Sequence, residues 1–191
     1  MEYLKPNELL KVLAIAKSRG SREHCMFLLA YGHALRASEI TSLTLADVRN
    51  GRINCVRGKH SQHTVEELRE NHNELLDEKL ALATWIKERS DADGSQMLFT
   101  SRQGSGLTRQ QVYNLFRKTA ELAGIEEGRV NPHILKHSYA SHLLRNGADL
   151  AFVQRSLGHK HISSTVKYTH VSTSEAQVVS NRILGNVFAA A

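Results

Sequence analysis

Four short stretches gather the side chains of this chain that can hold an anion or attack one. They are YGHALRASEI from Tyr31 to Ile40, VRGKH from Val56 to His60, HILKHSYASHLL from His133 to Leu144, and LGHKHISSTVKYTHV from Leu157 to Val171. Arg36 carries a planar fork of donors suited to two phosphate oxygens, and Glu39, three residues on, can orient it from the same helical face. His133, Lys136 and His137 crowd one face of a single helix, and three potential cations packed together want an anion. Lys59, the one lysine between Lys17 and Lys79, follows Gly58 where a flexible cation can reach a neighbouring backbone. Tyr168 is the candidate nucleophile. A phenol of unperturbed pKa about 10 attacks poorly at neutral pH unless cations surround it, and Arg36, Lys136 and the histidines supply them.

Each of these residues also has a plainer reading. Arg36 is then a helix-end surface arginine, Lys59 a loop lysine, the histidines core residues with satisfied hydrogen bonds, and Tyr168 a packed aromatic with its hydroxyl at the surface. His137 is taken in that plainer sense, as a core histidine.

Positioning these groups needs elements from the whole chain. Pro6 fits a first helical turn, followed by Leu9, Leu10, Leu13 and Ala16 at helical spacing and an end near Gly20. Ser21 caps a second helix that runs to about Leu35, apolar nearly all round and therefore central. Arg52 to Arg57 alternates as a strand does, Thr64 to Leu68 pairs back, and Lys59 falls near the hairpin tip. A helix over about Asp77 to Glu88 and a short strand at Met97 to Phe99 come next. Thr108 with Gln111 forms a capping box for a helix reaching about Ala123. A further helix follows Pro132 and stops near Gly147, with shorter pieces at about Leu150 to Leu157 and beyond Ser163. The spacing of His159 and Tyr168 would put them on opposite faces of one unbroken helix, so the chain must break between them, with Ser163 or Ser164 as cap. The expected fold class is mostly α with a small antiparallel β-sheet.

Bulk properties bound the rest. The chain has 191 residues, 41% apolar and 23% charged, which suits one globular unit with a real core. No repeat or Gly/Ser linker marks a second domain. A net charge of +6 and a pI near 9.5, with eleven histidines in reserve, make a polyanionic partner plausible. Cys25 and Cys55 show no CxxC spacing, which suits a reducing cytosol. No leader opens the sequence and the longest apolar run, Cys25 to Tyr31, is too short for a bilayer core of about 30 Å, so a soluble cytoplasmic protein with no membrane partner is expected. His159, His161 and His170 hint at zinc, but no cysteine or carboxylate completes a familiar set; neither metal nor other cofactor is expected.

In order and spacing the four segments resemble the signature segments of the tyrosine recombinase (phage integrase) family, from about Leu4 to about Val171. The resemblance implies that family's catalytic-domain fold and site-specific recombination of double-stranded DNA through a 3′-phosphotyrosyl intermediate, with integration, excision or inversion as the outcome. It makes Arg36 the first catalytic arginine, Lys59 the hairpin lysine that donates a proton to the leaving oxygen, His133 the first member of a His-x-x-Arg pair, His159 the second histidine and Tyr168 the nucleophile. Lys136 stands where the pair has arginine. A lysine is a point charge in place of a rigid fork, and losing one such contact costs about 2–3 kcal/mol in a transition state unless His137 or Lys160 compensates. A tetrameric synapse on DNA, from a chain monomeric when free in the bacterial cytosol or nucleoid, is the implied assembly.

Residues 1–191 read as a single catalytic domain without the N-terminal DNA-clamping domain of most relatives, either excised or naturally short like the recombinases that invert fimbrial promoter segments. Val179, Ile183, Leu184, Val187 and Phe188 form a stripe in the segment from about 173 to 191, which docks on a neighbouring protomer or packs on its own domain. One alternative is a non-catalytic or attenuated DNA-binding regulator with the same fold. Another, an unrelated helix-turn-helix protein reading DNA with Thr108 to Ala123, leaves the spacing of Arg36, His133, His159 and Tyr168 unexplained.

Overall fold

The computed structural model describes residues 2–58, 61–89, 94–166 and 168–169. In chain order the elements are α1 (Pro6–Arg19), α2 (Ser21–Gly32), α3 (Ala37–Ser42), β1 (Arg52–Cys55), β2 (Thr64–Glu67), α4 (Glu78–Glu88), α5 (Arg109–Leu122), α6 (His133–Arg145), α7 (Leu150–Ser156) and α8 (Ser163–Val166). The fold is mostly helical with one small antiparallel sheet, as the sequence predicts.

Pro6 opens α1, where its missing N–H is no loss because first-turn amides have no helical acceptor. α2 is buried on nearly every face and lies against α1, α4 and α6, which confirms its central place. It stops at Gly32 rather than about Leu35. Ala34 takes a left-handed φ of +50° and the Leu35 amide reaches back to the Ala30 carbonyl at 2.9 Å, a helix-ending reversal that turns Arg36 into position before α3.

The two strands pair with Arg52 opposite Glu67 and Cys55 opposite Thr64. β1 ends at Cys55, two residues short of Arg57, because the Arg57 side chain turns inward and is buried. The strand expected at Met97 to Phe99 is reduced to isolated bridges, Thr44 with Met97 and Thr100 with Gly106. α5 begins as the capping box requires, with the Gln111 amide donating to the Thr108 hydroxyl at 3.2 Å and the Thr108 amide donating to the Gln111 side-chain oxygen at 2.8 Å.

The main core draws on α1, α2, α4, α5 and α6, with Phe27 set edge-on to Phe116 at 5.2 Å between ring centres. A second, smaller cluster joins Ala34, Tyr139, Ala140, Val153, Leu157 and Tyr168. It packs the reversal after α2 against α6 and α7. Among the described residues no helix is long and apolar enough to cross a membrane. The stripe from Val179 to Phe188 lies outside the described residues.

Candidate active site

Arg36 sits in the turn that leads into α3. Its Nη1 donates to Glu39 Oε1 at 2.7 Å and to Ser61 Oγ at 3.2 Å, while its backbone amide donates to the other Glu39 oxygen at 2.8 Å. The side chain keeps 34% of its surface exposed. This is the orienting role for Glu39 that the three-residue spacing implies. Burial raises the Glu39 carboxyl, but the Arg36 amide, Lys136, Arg57 and the Arg36 guanidinium outweigh it and hold the group below the usual carboxylate range.

Arg57 is a residue that the sequence does not single out. Its Nη2 donates to the carbonyls of His33 at 3.0 Å and Ser156 at 2.9 Å and to Thr64 Oγ1 at 3.1 Å, and its Nη1 lies 3.7 Å from Glu39. One buried guanidinium therefore ties the end of α2, the hairpin and the end of α7 together. Gly158 makes room for it: φ is +66°, and a Cβ there would meet Arg57 Cδ at 2.2 Å. An arginine at the end of a strand gives no sequence signal for such burial.

Lys136 is also buried, and its Nζ donates to the carbonyls of Ala34 and Leu157, both at 2.9 Å. Its charge thus lies beneath the site, stitching the turn that carries Arg36 to the turn that carries His159. His159 is buried as well, with Nδ1 sharing a 2.9 Å hydrogen bond with Thr165 Oγ1. Ser61 forms an antiparallel bridge with His159, and the Gln62 amide donates to the Gly158 carbonyl at 2.9 Å, so the hairpin returns directly over this turn. Lys59 and His60 lie outside the described residues.

The break between His159 and Tyr168 occurs where expected, although α8 starts at Ser163 itself. The amides of Ser164 and Thr165 are taken by the carbonyls of His161 and Ile162. Tyr168 follows α8, its amide donating to the Thr165 carbonyl at 3.0 Å and its ring buried in the smaller cluster. Its hydroxyl lies 2.8 Å from Nδ1 of His137, not at the surface. Burial pushes the phenol up to about 12, with the Arg36 charge pulling it partway back. His133 opens α6 at the exposed rim, edge-on to the His137 ring with centres 4.8 Å apart. A cleft of about 520 Å³ opens beside it, lined by Ala37, Arg109, Gln110, Tyr113 and Asn131 among others.

Lys136 thus links the turns that bear Arg36 and His159, Tyr168 meets His137 and through it His133, and the Arg36 charge acts on the phenol. The arrangement can hold an oxyanion and present an oxygen nucleophile to it. Among the described residues no group of three or more His, Cys, Asp or Glu side chains gathers as a metal site would, and His170 lies outside them.

Beneath the site runs a second charged network. His33 is fully buried between Glu66 Oε2 at 3.1 Å from Nδ1 and Glu78 Oε2 at 3.2 Å from Nε2. Burial works against its imidazolium, but the two carboxylates outweigh that and raise its pKa. Arg69 joins in, donating to Glu78 Oε1 at 3.2 Å, to the Gly32 carbonyl at 3.0 Å and to the Tyr139 hydroxyl at 3.2 Å.

Over residues 2–175 the chain matches the phage integrase family. It belongs to that family, whose members include tyrosine recombinases. It is 41% identical over 158 residues to the type 1 fimbriae regulatory protein FimE of Escherichia coli, covering 78% of this chain and 75% of that protein. It is 35% identical over 185 residues to the tyrosine recombinase XerD of Staphylococcus saprophyticus, covering 94% of this chain and 61% of that protein. The crystal structure of XerA recombinase superposes with a TM-score of 0.78 at 27% identity, covering 95% of this chain and 65% of that one. The chain therefore spans about three-fifths of the XerD relative and about two-thirds of the XerA chain.

Proposed function

We propose that this chain is a site-specific DNA recombinase, acting on double-stranded DNA as an oligomer assembled on its sites. The observation that carries the reading is the Tyr168 hydroxyl buried among α6 and α7 beside the Arg36 charge. Arg36, steadied by Glu39, holds the non-bridging oxygens of one phosphodiester, with His133 and His159 as further donors. The Tyr168 oxygen attacks phosphorus in line, an oxygen–phosphorus bond forms, and the bond from phosphorus to the 5′ oxygen breaks. A 3′-phosphotyrosyl link remains on one side. On the other a 5′-hydroxyl leaves with a proton, and Lys59 is the residue assigned to supply it. Attack by the 5′-hydroxyl of a second strand reverses the step and exchanges the strands.

Lys136 acts from below in this scheme. Its ammonium fixes the two turns that bear Arg36 and His159 and adds positive field under the phosphate. Residues 1–191 work as one catalytic domain within a tetrameric synapse. The chain is monomeric when free and resides in the bacterial cytosol or nucleoid.

The test is covalent capture. The purified chain is incubated with fragmented DNA of the genome that encodes it, denatured and digested, and the peptide carrying nucleotide is mapped. Attachment at Tyr168, absent in Tyr168→Phe, is the expected result, and sequencing the attached DNA gives the target site. Tight binding to DNA without any adduct would instead favour the regulator.

A further inference from the structure

The hydroxyl of Tyr168 points at a residue that the proposed mechanism leaves unused. His137 stands one turn after His133 on α6, half-buried, with Nδ1 2.8 Å from the phenol oxygen. The two rings are tilted by 46° with centres 5.5 Å apart, so the imidazole offers the phenol a nitrogen and not its face. Resting on the reading of Tyr168 as nucleophile, we propose that His137 is a further catalytic residue, the general base that takes the phenolic proton as the tyrosine oxygen bonds to phosphorus.

A neutral phenol that forms a bond to phosphorus must lose its proton, and the acceptor within hydrogen-bond reach decides where that proton goes. For this role the O–H donates to Nδ1 across the 2.8 Å contact, and the neutral imidazole carries its proton on Nε2. The step balances: the tyrosine oxygen gains phosphorus, Nδ1 gains the proton, the 5′ oxygen leaves with its bonding pair, and its proton comes from the acid on the leaving-group side. On religation the imidazolium returns its proton to the tyrosine. The groups facing this pair include Arg36, whose charge acts on Tyr168, and His133, edge-on to the His137 ring. The Arg36 charge favours the phenolate that develops as the proton leaves Tyr168. His133, exposed and edge-on to the His137 ring, is a neighbouring imidazole that can relay the proton.

The experiment measures single-turnover adduct formation on nicked duplexes carrying the captured site, from pH 5.5 to 9, for the wild type, His137→Gln and His137→Ala. The glutamine variant keeps a hydrogen-bond acceptor but no base. A rate lower by about 100-fold is expected in both, with the acid limb in the histidine range lost, and with DNA affinity and melting temperature close to wild type. A substrate with sulfur in place of the 5′ bridging oxygen needs no acid for departure. It should restore Lys59→Ala and leave the His137 variants slow. Cleavage by His137→Gln within about threefold of wild type with the same pH profile would overturn the assignment, as would faster cleavage, which would make His137 a latch. No Tyr168 adduct even from the wild type would overturn the nucleophile reading along with it.

Discussion

The two halves of the site are built differently. The half that carries Arg36 is a platform: the reversal after α2, α3 and the hairpin, crossed from within by the buried side chains of Arg57, Glu39, His33 and Lys136. Among the described residues, the half that carries Tyr168 is a four-residue helix and a turn that rests on a small apolar cluster and makes the Thr165–His159 and Tyr168–His137 hydrogen bonds. Charge stabilisation benefits from donors fixed before the reaction, because a donor that must move does its reorganising at the barrier. A nucleophile that is offered, consumed and returned gains from a carrier with little stability of its own, since local opening draws on weakly held segments. The difference therefore matches the division of labour proposed for the two halves.

Removing the guanidinium that crosses the platform should break this contrast most severely. Arg57→Leu strands the carbonyls of His33 and Ser156 and takes a cation from Glu39. Leaving such groups buried and unpaired costs on the order of 3–5 kcal/mol, so a fall in urea midpoint to near unfolding is expected. An unfolding free energy within about 0.5 kcal/mol of wild type would show that the platform does not depend on Arg57.

The histidine beneath the platform adds a pH signature. His33 has a folded pKa raised above its unfolded value by Glu66 and Glu78. Its contribution is therefore fully present below the unfolded pKa of about 6.5 and is lost as pH rises through the folded value. His33→Gln should cost on the order of 2 kcal/mol at pH 6 and less at pH 9. Chemical denaturation of both proteins across that range measures it, and an equal cost at both ends would mean that the ring is buried neutral.

How far this contrast was legible in the sequence follows from what each residue type advertises. Helical spacing announced α1, α2 and α5, and the Thr108–Gln111 box fixed the start of α5 because capping is local chemistry. Arg36, with Glu39 three residues on, was legible for the same reason. Arg57 and His137 were not. Their roles come from partners such as Ser156 and Tyr168, far along the chain, and no local pattern distinguishes a buried arginine from an exposed one. The inward placement of Lys136 was likewise hidden: its carbonyl partners, on Ala34 and Leu157, belong to two turns that meet only in the folded chain. The early end of α2 depended on Ala34 entering the left-handed region, which alanine seldom does, so the sequence offered no glycine to mark it.

On the Tyr168 side the same kind of deletion should act on activity more than on stability. Thr165→Val keeps the shape but removes the hydroxyl from Nδ1 of buried His159. Losing that hydrogen bond costs about 1–2 kcal/mol. Adduct formation should fall further than this, by about tenfold or more, because the change frees both His159 and the helix that carries Tyr168. Melting temperature and single-turnover rate, measured on one preparation, separate the two effects; a stability loss with an unchanged rate would refute the carrier description.

The smallest stability change should come from the side chain closest to the chemistry. Arg36 keeps a third of its surface in solvent, and its main partner Glu39 retains the Arg36 backbone amide and Arg57 when the guanidinium is removed. Arg36→Ala is therefore expected to shift stability by only about 0.5–1 kcal/mol, as a partly exposed ion pair does. Adduct formation should nevertheless fall by about 100-fold or more, the loss typical of one donor aimed at developing charge. A platform that loses several kcal/mol with Arg36 would mean that the guanidinium is a structural tie like Arg57. The division between what holds the site and what works in it would then have to be redrawn.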